Sequence, residues 1–437
     1  MKKSKTVMRA LGMAAVLIAV TATACDLNKA LEVQPANLID AVALEASPAN
    51  ASLLVNGAAA DFDCAFGSYV VVGGLIGEEL EDALQTADRW PYDQRTVTAN
   101  LSRYASNSCT GLGVYTPLQA ARVSASNTRR LLEGWTDVQV PGRTMLIARV
   151  SAYEAWSQLL IAEAFCSTVF SQVEGEDVKY GTEITRAQAL DSAINRFTAS
   201  IASIGTATGA TPDSIKNFAL VGRARAKQDK GDLAGARADA VQVPAAFVWN
   251  ATESNTNTRR QNKVYNENNT TGTPSSSVGL RFRDPSYAND PRIKATNTGK
   301  LSNSTNVPLW VQGKYTAVAS PIPIATGAEA QLIVAEADIT TNRANTLAII
   351  AAMRTAGGQP AYTGTTAAQD LAEVIDQRRR ALFLTGTGFG DIIRYNLTVS
   401  PAAGTSTPWN QTYGPDKGSQ LCLPLPLTEI QNNPLLH

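Results

Sequence analysis

The sequence predicts a mainly α-helical protein, in which a scaffold of paired helices carries an irregular, loop-rich cap and only minor β structure. Three observations lead there. Apolar residues recur in steps of three and four along several long stretches, the spacing of a helix with one buried face. Segments rich in Asn, Ser, Thr, Gly and Pro interrupt those stretches and carry no such period. The 437 residues are 44% hydrophobic and 17% charged, a balance that suits a sizeable globular core.

In chain order, residues 1–24 read as a secretory leader, with a basic start (Lys2, Lys3, Lys5, Arg9), an apolar run from Leu11 to Val20, and small residues before Cys25. A cysteine just after the cut resembles a lipobox, with Ala22 where Leu is usual, so Cys25 is the expected lipidation site. Removing the leader takes four basic residues and no acid from a chain balanced at 38 of each, leaving a formal charge of −4. A mildly acidic chain disfavours a nucleic-acid partner. No second apolar stretch approaches the ~20 residues that a spanning helix needs, so the expected membrane attachment rests on Cys25. The mature chain, residues 25–437, reads as a single domain.

A polar tether, Asp26 to about Pro35, precedes helical stretches that run to about Leu84. A helix follows from Thr116 to Trp135. Another runs from Arg143 to Cys166, with Leu146, Val150, Tyr153, Trp156 and Leu160 on one stripe. Thr185 can cap a helix carrying Leu190, Ile194, Phe197 and Ile201. Ser214 to Val241 reads as two antiparallel helices joined at Gly231 and Asp232, where Ala236 and Ala240 permit the close packing of a tetratricopeptide-like pair. From Val248 to Gly279 the composition predicts a long surface loop. Helices resume at Gly327–Ala337, Arg343–Ala356 and Ala367–Leu384.

Catalysis is not indicated. The single histidine is the terminal His437, which leaves no built-in histidine for a Ser-His-Asp or Cys-His system or for a histidine-rich metal site. Neither a phosphate loop nor a nucleophile elbow is present. No cofactor and no metal is called for. Cys64, Cys109, Cys166 and Cys422 are even in number, and in an exported chain they fit two disulfides. The local loop Cys64–Cys109 is the expected pairing, leaving Cys166–Cys422; four buried thiols are the alternative.

Several segments, in order, resemble the SusD/RagB family over nearly the whole chain. They are Cys25, ARVSAYEAWSQLLIAEAFC (148–166), GRARAKQDKGDLAGARADA (222–240), NDPRI (289–293), EAQLIVAEA (329–337), VIDQRRRALFLTGTGFGDIIRY (374–395) and LCLPLPLTEIQNNPLL (421–436). Ala381, Thr385 and Gly388 replace two acids and an arginine of the usual pattern, which marks a divergent member. The charged residues kept there read as scaffold. Glu336 would need a partner such as Arg379 or Arg380 if buried, while Asp391 and Arg394 are spaced to pair, unless Asp391 caps the segment it begins.

The resemblance implies binding rather than catalysis: a lid on the outer membrane, lipid-anchored and surface-exposed, that captures an oligosaccharide or a peptide for a SusC-like TonB-dependent barrel transporter. Sugar rings stack on aromatic faces, so loop aromatics are the candidate ligand contacts: Trp90 and Tyr92 in ADRWPYDQR, Trp249, Tyr287 and Trp310, with Trp409 and Tyr413 weaker. Trp135 and Trp156 lie at helical positions and read as core. An exported tetratricopeptide adaptor that binds only protein is the alternative, and a glycan hydrolase would need a carboxylate pair that the sequence does not single out.

Overall fold

The computed structural model describes residues 45, 47–174, 177–270, 274–407 and 416–437. The leader, Cys25, the tether, Trp409 and Tyr413 lie outside them. Residues 48–437 form one compact unit.

Its body is a succession of helices, each packed on the next: α1 (Ala51–Ile76), α2 (Tyr115–Gly134), α3 (Arg143–Ala164), α4 (Arg186–Ile204), α5 (Ala210–Asp229), α6 (Leu233–Ala240), α7 (Gly327–Asp338), α8 (Arg343–Ala356) and α9 (Ala367–Ala381), with a shorter α10 (Gly388–Arg394). The core sits where α1, α3 and α5 meet. Trp156 on α3 is fully buried, stacked on Phe218 of α5 at 5.5 Å and set edge-on to Phe197 of α4 at 5.7 Å. Its indole N–H donates to the Phe218 carbonyl at 3.2 Å, so the ring is both packed and polar-satisfied. A Cβ on Gly222 would stand 2.2 Å from the Phe197 ring, and the missing side chain is what lets α5 approach α4.

Local chemistry starts and stops these helices where the sequence places the signals. Thr185 and Gln188 form a reciprocal capping box at the start of α4. Gly231 takes φ +82° and Asp232 caps α6, which makes the tight turn between α5 and α6. One expectation fails at the front of the chain. The helix through Pro48–Ile76 is apolar and long enough to cross a membrane, but 89% of its apolar window is buried inside the fold, as in the core helix of a globular domain.

Among the described residues, five two-stranded antiparallel pairs complete the fold. β1 (Leu80–Asp82) pairs with β7 (Ser276–Val278), β2 (Ser167–Val169) with β5 (Glu183–Thr185), β3 (Gln172–Glu174) with β4 (Asp177–Lys179), β6 (Val248–Ala251) with β10 (Ile322–Thr326), and β8 (Thr296–Leu301) with β9 (Pro308–Val311). The segment expected as a surface loop from Val248 to Gly279 is corrected here. It supplies β6, a short helix Lys263–Asn268 and β7, and it buries Asn262, Asn268, Ser276 and Ser277. Such side chains go inside because they satisfy backbone groups where no regular ladder does.

Disulfides join Cys64 to Cys109 and Cys166 to Cys422. The second holds the C-terminal segment against the end of α3, where Cys166 and Leu423 exchange backbone hydrogen bonds with their neighbours: the Cys166 amide donates to the Leu423 carbonyl and the Leu423 amide to Ala164.

A cap of loop aromatics over a buried ion lattice

Beneath the cap, charged side chains tie α3, α5, α7 and α10 together. Glu163 on α3 is fully buried and accepts two hydrogen bonds from Arg225 and one from the Tyr69 hydroxyl, all at 2.6 Å. Arg225 also donates to the Gly386 carbonyl at 2.8 Å. Burial pushes the Glu329 carboxyl up to about 7, with Arg225 and Arg378 opposing, and Asp229 up to about 8.

The partners differ from the sequence expectation. Glu336 meets neither Arg379 nor Arg380. It takes a bidentate contact from Arg394, both bonds at 2.7 Å, with Tyr395 and Gln228 completing its shell. Asp391 pairs with Arg378 at 2.8 Å rather than with Arg394 three residues on. Arg380 reaches Asp376 on its own helix and Asp290 of the NDPRI segment. These are scaffold contacts throughout, since each of these charges finds its opposite within the fold.

The cap itself is assembled from β1, β7, the β8–β9 hairpin and the helix Lys263–Asn268. Ser277 Oγ on β7 donates to the Pro308 carbonyl and accepts from the Trp310 amide. Asn268 donates to the carbonyls of Ser276 and Trp310 and accepts from the Gln312 amide at 2.7 Å. Thr305 and Ser302 both donate to the Ala83 carbonyl, which ties the β8–β9 turn to the loop after β1. Asp82 accepts from the amides of Leu84 and Gln85 and shapes that loop, and burial together with nearby Asp93 pushes its carboxyl up to about 7. Arg89 then pairs with Glu267, so the turn entering Trp90 is fixed to the same frame that holds Trp310.

Three non-glycine residues take left-handed backbone conformations around this loop: Glu78, Gln85 and Arg95, at φ 64°, 58° and 55°. Each is held by neighbouring contacts, Glu78 by Arg281, Gln85 by Asp82, and Arg95 by carbonyls of the 400–418 segment. Backbone strain of this sort persists only where surrounding structure enforces it.

The five candidate aromatics do not converge on one point, and the structure sorts them. Tyr92 is only 3% exposed, its hydroxyl donating to the Leu112 carbonyl, so it is a buried anchor and not a ligand contact. Trp249 stacks on Phe218 at 4.5 Å and donates its indole N–H to the Tyr153 hydroxyl, so it is an extension of the core. Tyr287 lies under the Arg380 guanidinium at 3.9 Å and donates its hydroxyl to Asp376, so it packs on α9. Trp90 and Trp310 remain. Both are half-buried, and neither indole N–H has a hydrogen-bond partner among the described residues. Trp310 also packs on the main core, whereas Trp90 does not. The discriminating signal, whether the indole N–H is used internally, is absent from the sequence. Two clefts of about 340 and 300 Å³ lie elsewhere, and neither is lined by these tryptophans. Trp156 is core as expected, and Trp135 is half-buried against it.

No family model matches the chain, and no curated protein matches its sequence. Solved structures do. A SusD superfamily protein from Bacteroides thetaiotaomicron superposes with a TM-score of 0.70 over 89% of this chain and 98% of its own, at 13% identity. One from Bacteroides fragilis gives 0.66 over 90% and 99%, also at 13% identity. A SusD-like carbohydrate binding protein from Bacteroides vulgatus gives 0.62 over 83% and 86%, at 16% identity. Superposed along nearly its whole length on these structures, this chain has the fold of the SusD superfamily.

Proposed function

We propose that the protein is a lipid-anchored binding subunit of the outer membrane that captures an oligosaccharide on its cap and passes it to a SusC-like TonB-dependent barrel transporter. The observation that carries this reading is the pairing of that fold with two cap tryptophans whose indole N–H groups are unused. A sugar offers an apolar ring face to an indole and hydroxyls to nearby amides, and Asn268 and Ser277 hold the strand that carries Trp310. Superposition on a carbohydrate binding protein supports the choice of sugar over peptide. Recognition needs no cofactor.

Cys25 is the proposed anchor. Labelling cells with a fatty-acid analogue should mark the wild type and not Cys25→Ser. Purification from outer membranes should bring a large TonB-dependent receptor with the protein. Recovery with a soluble periplasmic complex and no barrel would favour a tetratricopeptide-type adaptor instead, and a glycan array without a hit, beside a peptide screen with one, would replace sugar by peptide.

A further inference from the structure

On another side of the body, α2, strands β2 and β3 and the C-terminal helix Leu427–Asn432 enclose an open cleft of about 340 Å³. Arg122 lines it while being only 4% exposed. Its Nε donates to Gln119 Oε1 at 2.8 Å, its Nη2 to the Ser171 carbonyl, and its guanidinium lies 5.0 Å from the Phe170 ring. No carboxylate pairs with it among the described residues, in contrast to the equally buried Arg225, Arg378 and Arg380. Glu154 and Glu429 act on it only at longer range, and a buried guanidinium without a direct ion pair favours a carboxylate that can reach it.

Two further polar groups line the cleft. The Tyr115 hydroxyl is buried between Gln119 and Glu429. Glu429 accepts from Asn433 at 3.4 Å and forms no direct ion pair among the described residues. Between these polar groups the floor is aliphatic, formed by Val123, Val169 and Val173. One wall therefore offers a positive charge, the other a negative one, and the surface between them is apolar.

We propose that this cleft binds a zwitterionic amino acid or short peptide with an aliphatic side chain: its carboxylate on Arg122 and Tyr115, its ammonium on Glu429 and its side chain on the valines. The site is separate from the cap tryptophans and does not depend on sugar capture there. Burial lowers the Arg122 pKa to about 10, which leaves the guanidinium charged at neutral pH.

Calorimetry on the purified protein tests it with four probes: leucine, leucyl-leucine, leucinamide and N-acetyl-leucine. Leucine or leucyl-leucine should bind saturably, and whichever binds better names the length of the ligand. Leucinamide, lacking the carboxylate, and N-acetyl-leucine, lacking the ammonium, should each bind at least about tenfold more weakly, the ratio worth ~1.4 kcal/mol. Arg122→Gln should abolish the difference between leucine and leucinamide. Because Arg122 also secures the β3 hairpin, Ala120→Trp provides a second arm: Ala120 is an exposed helical residue on the rim, and an indole there fills the cleft without touching the core. Absence of saturable binding by both charged probes would overturn the proposal. So would equal affinity for the capped probes, or full affinity in Ala120→Trp.

Discussion

The helical body and the cap differ in how most of their polar groups are buried. In the body, charge meets charge: Glu163 with Arg225, Asp391 with Arg378, Glu336 with Arg394, each pair bridging separate helices. In the cap, ion pairs such as Arg283–Glu81 and Arg89–Glu267 are joined by many short neutral side chains that meet backbone: Asn268, Ser277, Ser302 and Thr305 stand in for the missing partners of irregular chain. The body thus depends on a few pairs that are expensive to break singly. The cap depends more on many weaker bonds, which hold loops in strained conformations and leave two half-buried indoles without an internal partner for their N–H groups among the described residues.

The largest effect that could break this contrast lies in the body. Glu163→Ala leaves Arg225 and the Tyr69 hydroxyl buried without their acceptor, and should destabilise by about 3–5 kcal/mol in urea unfolding. A loss under 1 kcal/mol would mean that the lattice is not what joins α3 to α5.

A second effect reads out in pH. Burial pushes Glu79 up to about 7, beyond the pull of the Leu384 amide and Lys314. A carboxyl raised in the folded state binds its proton more tightly there than in the unfolded chain, so stability is full below the unfolded value near 4.5 and falls as pH rises through about 7. Lys314, held down to about 8 by burial, works in a higher window: folding favours its neutral form, and its cost grows only as pH falls from its ordinary value toward 8. Glu79→Gln should therefore flatten the decline between pH 5 and 7.5, removing on the order of 2 kcal/mol of it. A parallel decline in variant and wild type would show that other carboxyls carry it.

Last is a single cap side chain. Asn268→Ala strips an acceptor from the Gln312 amide and a donor from two carbonyls, and should cost about 1–3 kcal/mol while loosening the strand that bears Trp310. Tryptophan fluorescence and a melting curve would show both. A protein that melts lower but keeps its fluorescence would separate the frame from the indole.

The same contrast explains what could be read from the sequence. Helix periodicity, the Thr185 cap and the Gly231–Asp232 turn are local, and they lie where the residues say they should. The ion partners are not local. Gln228 and Glu336 stand 108 positions apart, and which arginine reaches Glu336 depends on how α7 and α10 pack. The nearer pairings with Arg379 and Arg380 were geometrically open in sequence and are simply not taken. The strap from Val248 to Gly279 looks like surface loop because its composition is polar, yet its amides point inward to carbonyls that no sequence pattern announces. Tyr92, Trp249 and Tyr287 look like loop aromatics because their neighbours in sequence are polar, while their neighbours in space are Leu112, Phe218 and Arg380. For the site, the sequence yields a shortlist, and only the fate of each ring and N–H sorts it.

The most direct test of the account is binding of a glycan by the cap. Oligosaccharides that hit on an array should be titrated against wild type, Trp90→Ala and Trp310→Ala, with melting temperatures measured alongside. Trp90 packs on no core cluster among the described residues, so its removal should weaken binding by about tenfold or more, ~1.4 kcal/mol, with a melting temperature within a degree or two of wild type. Unchanged affinity in both variants, or a collapse of the fold in Trp90→Ala, would contradict the assignment of the cap as the capture surface.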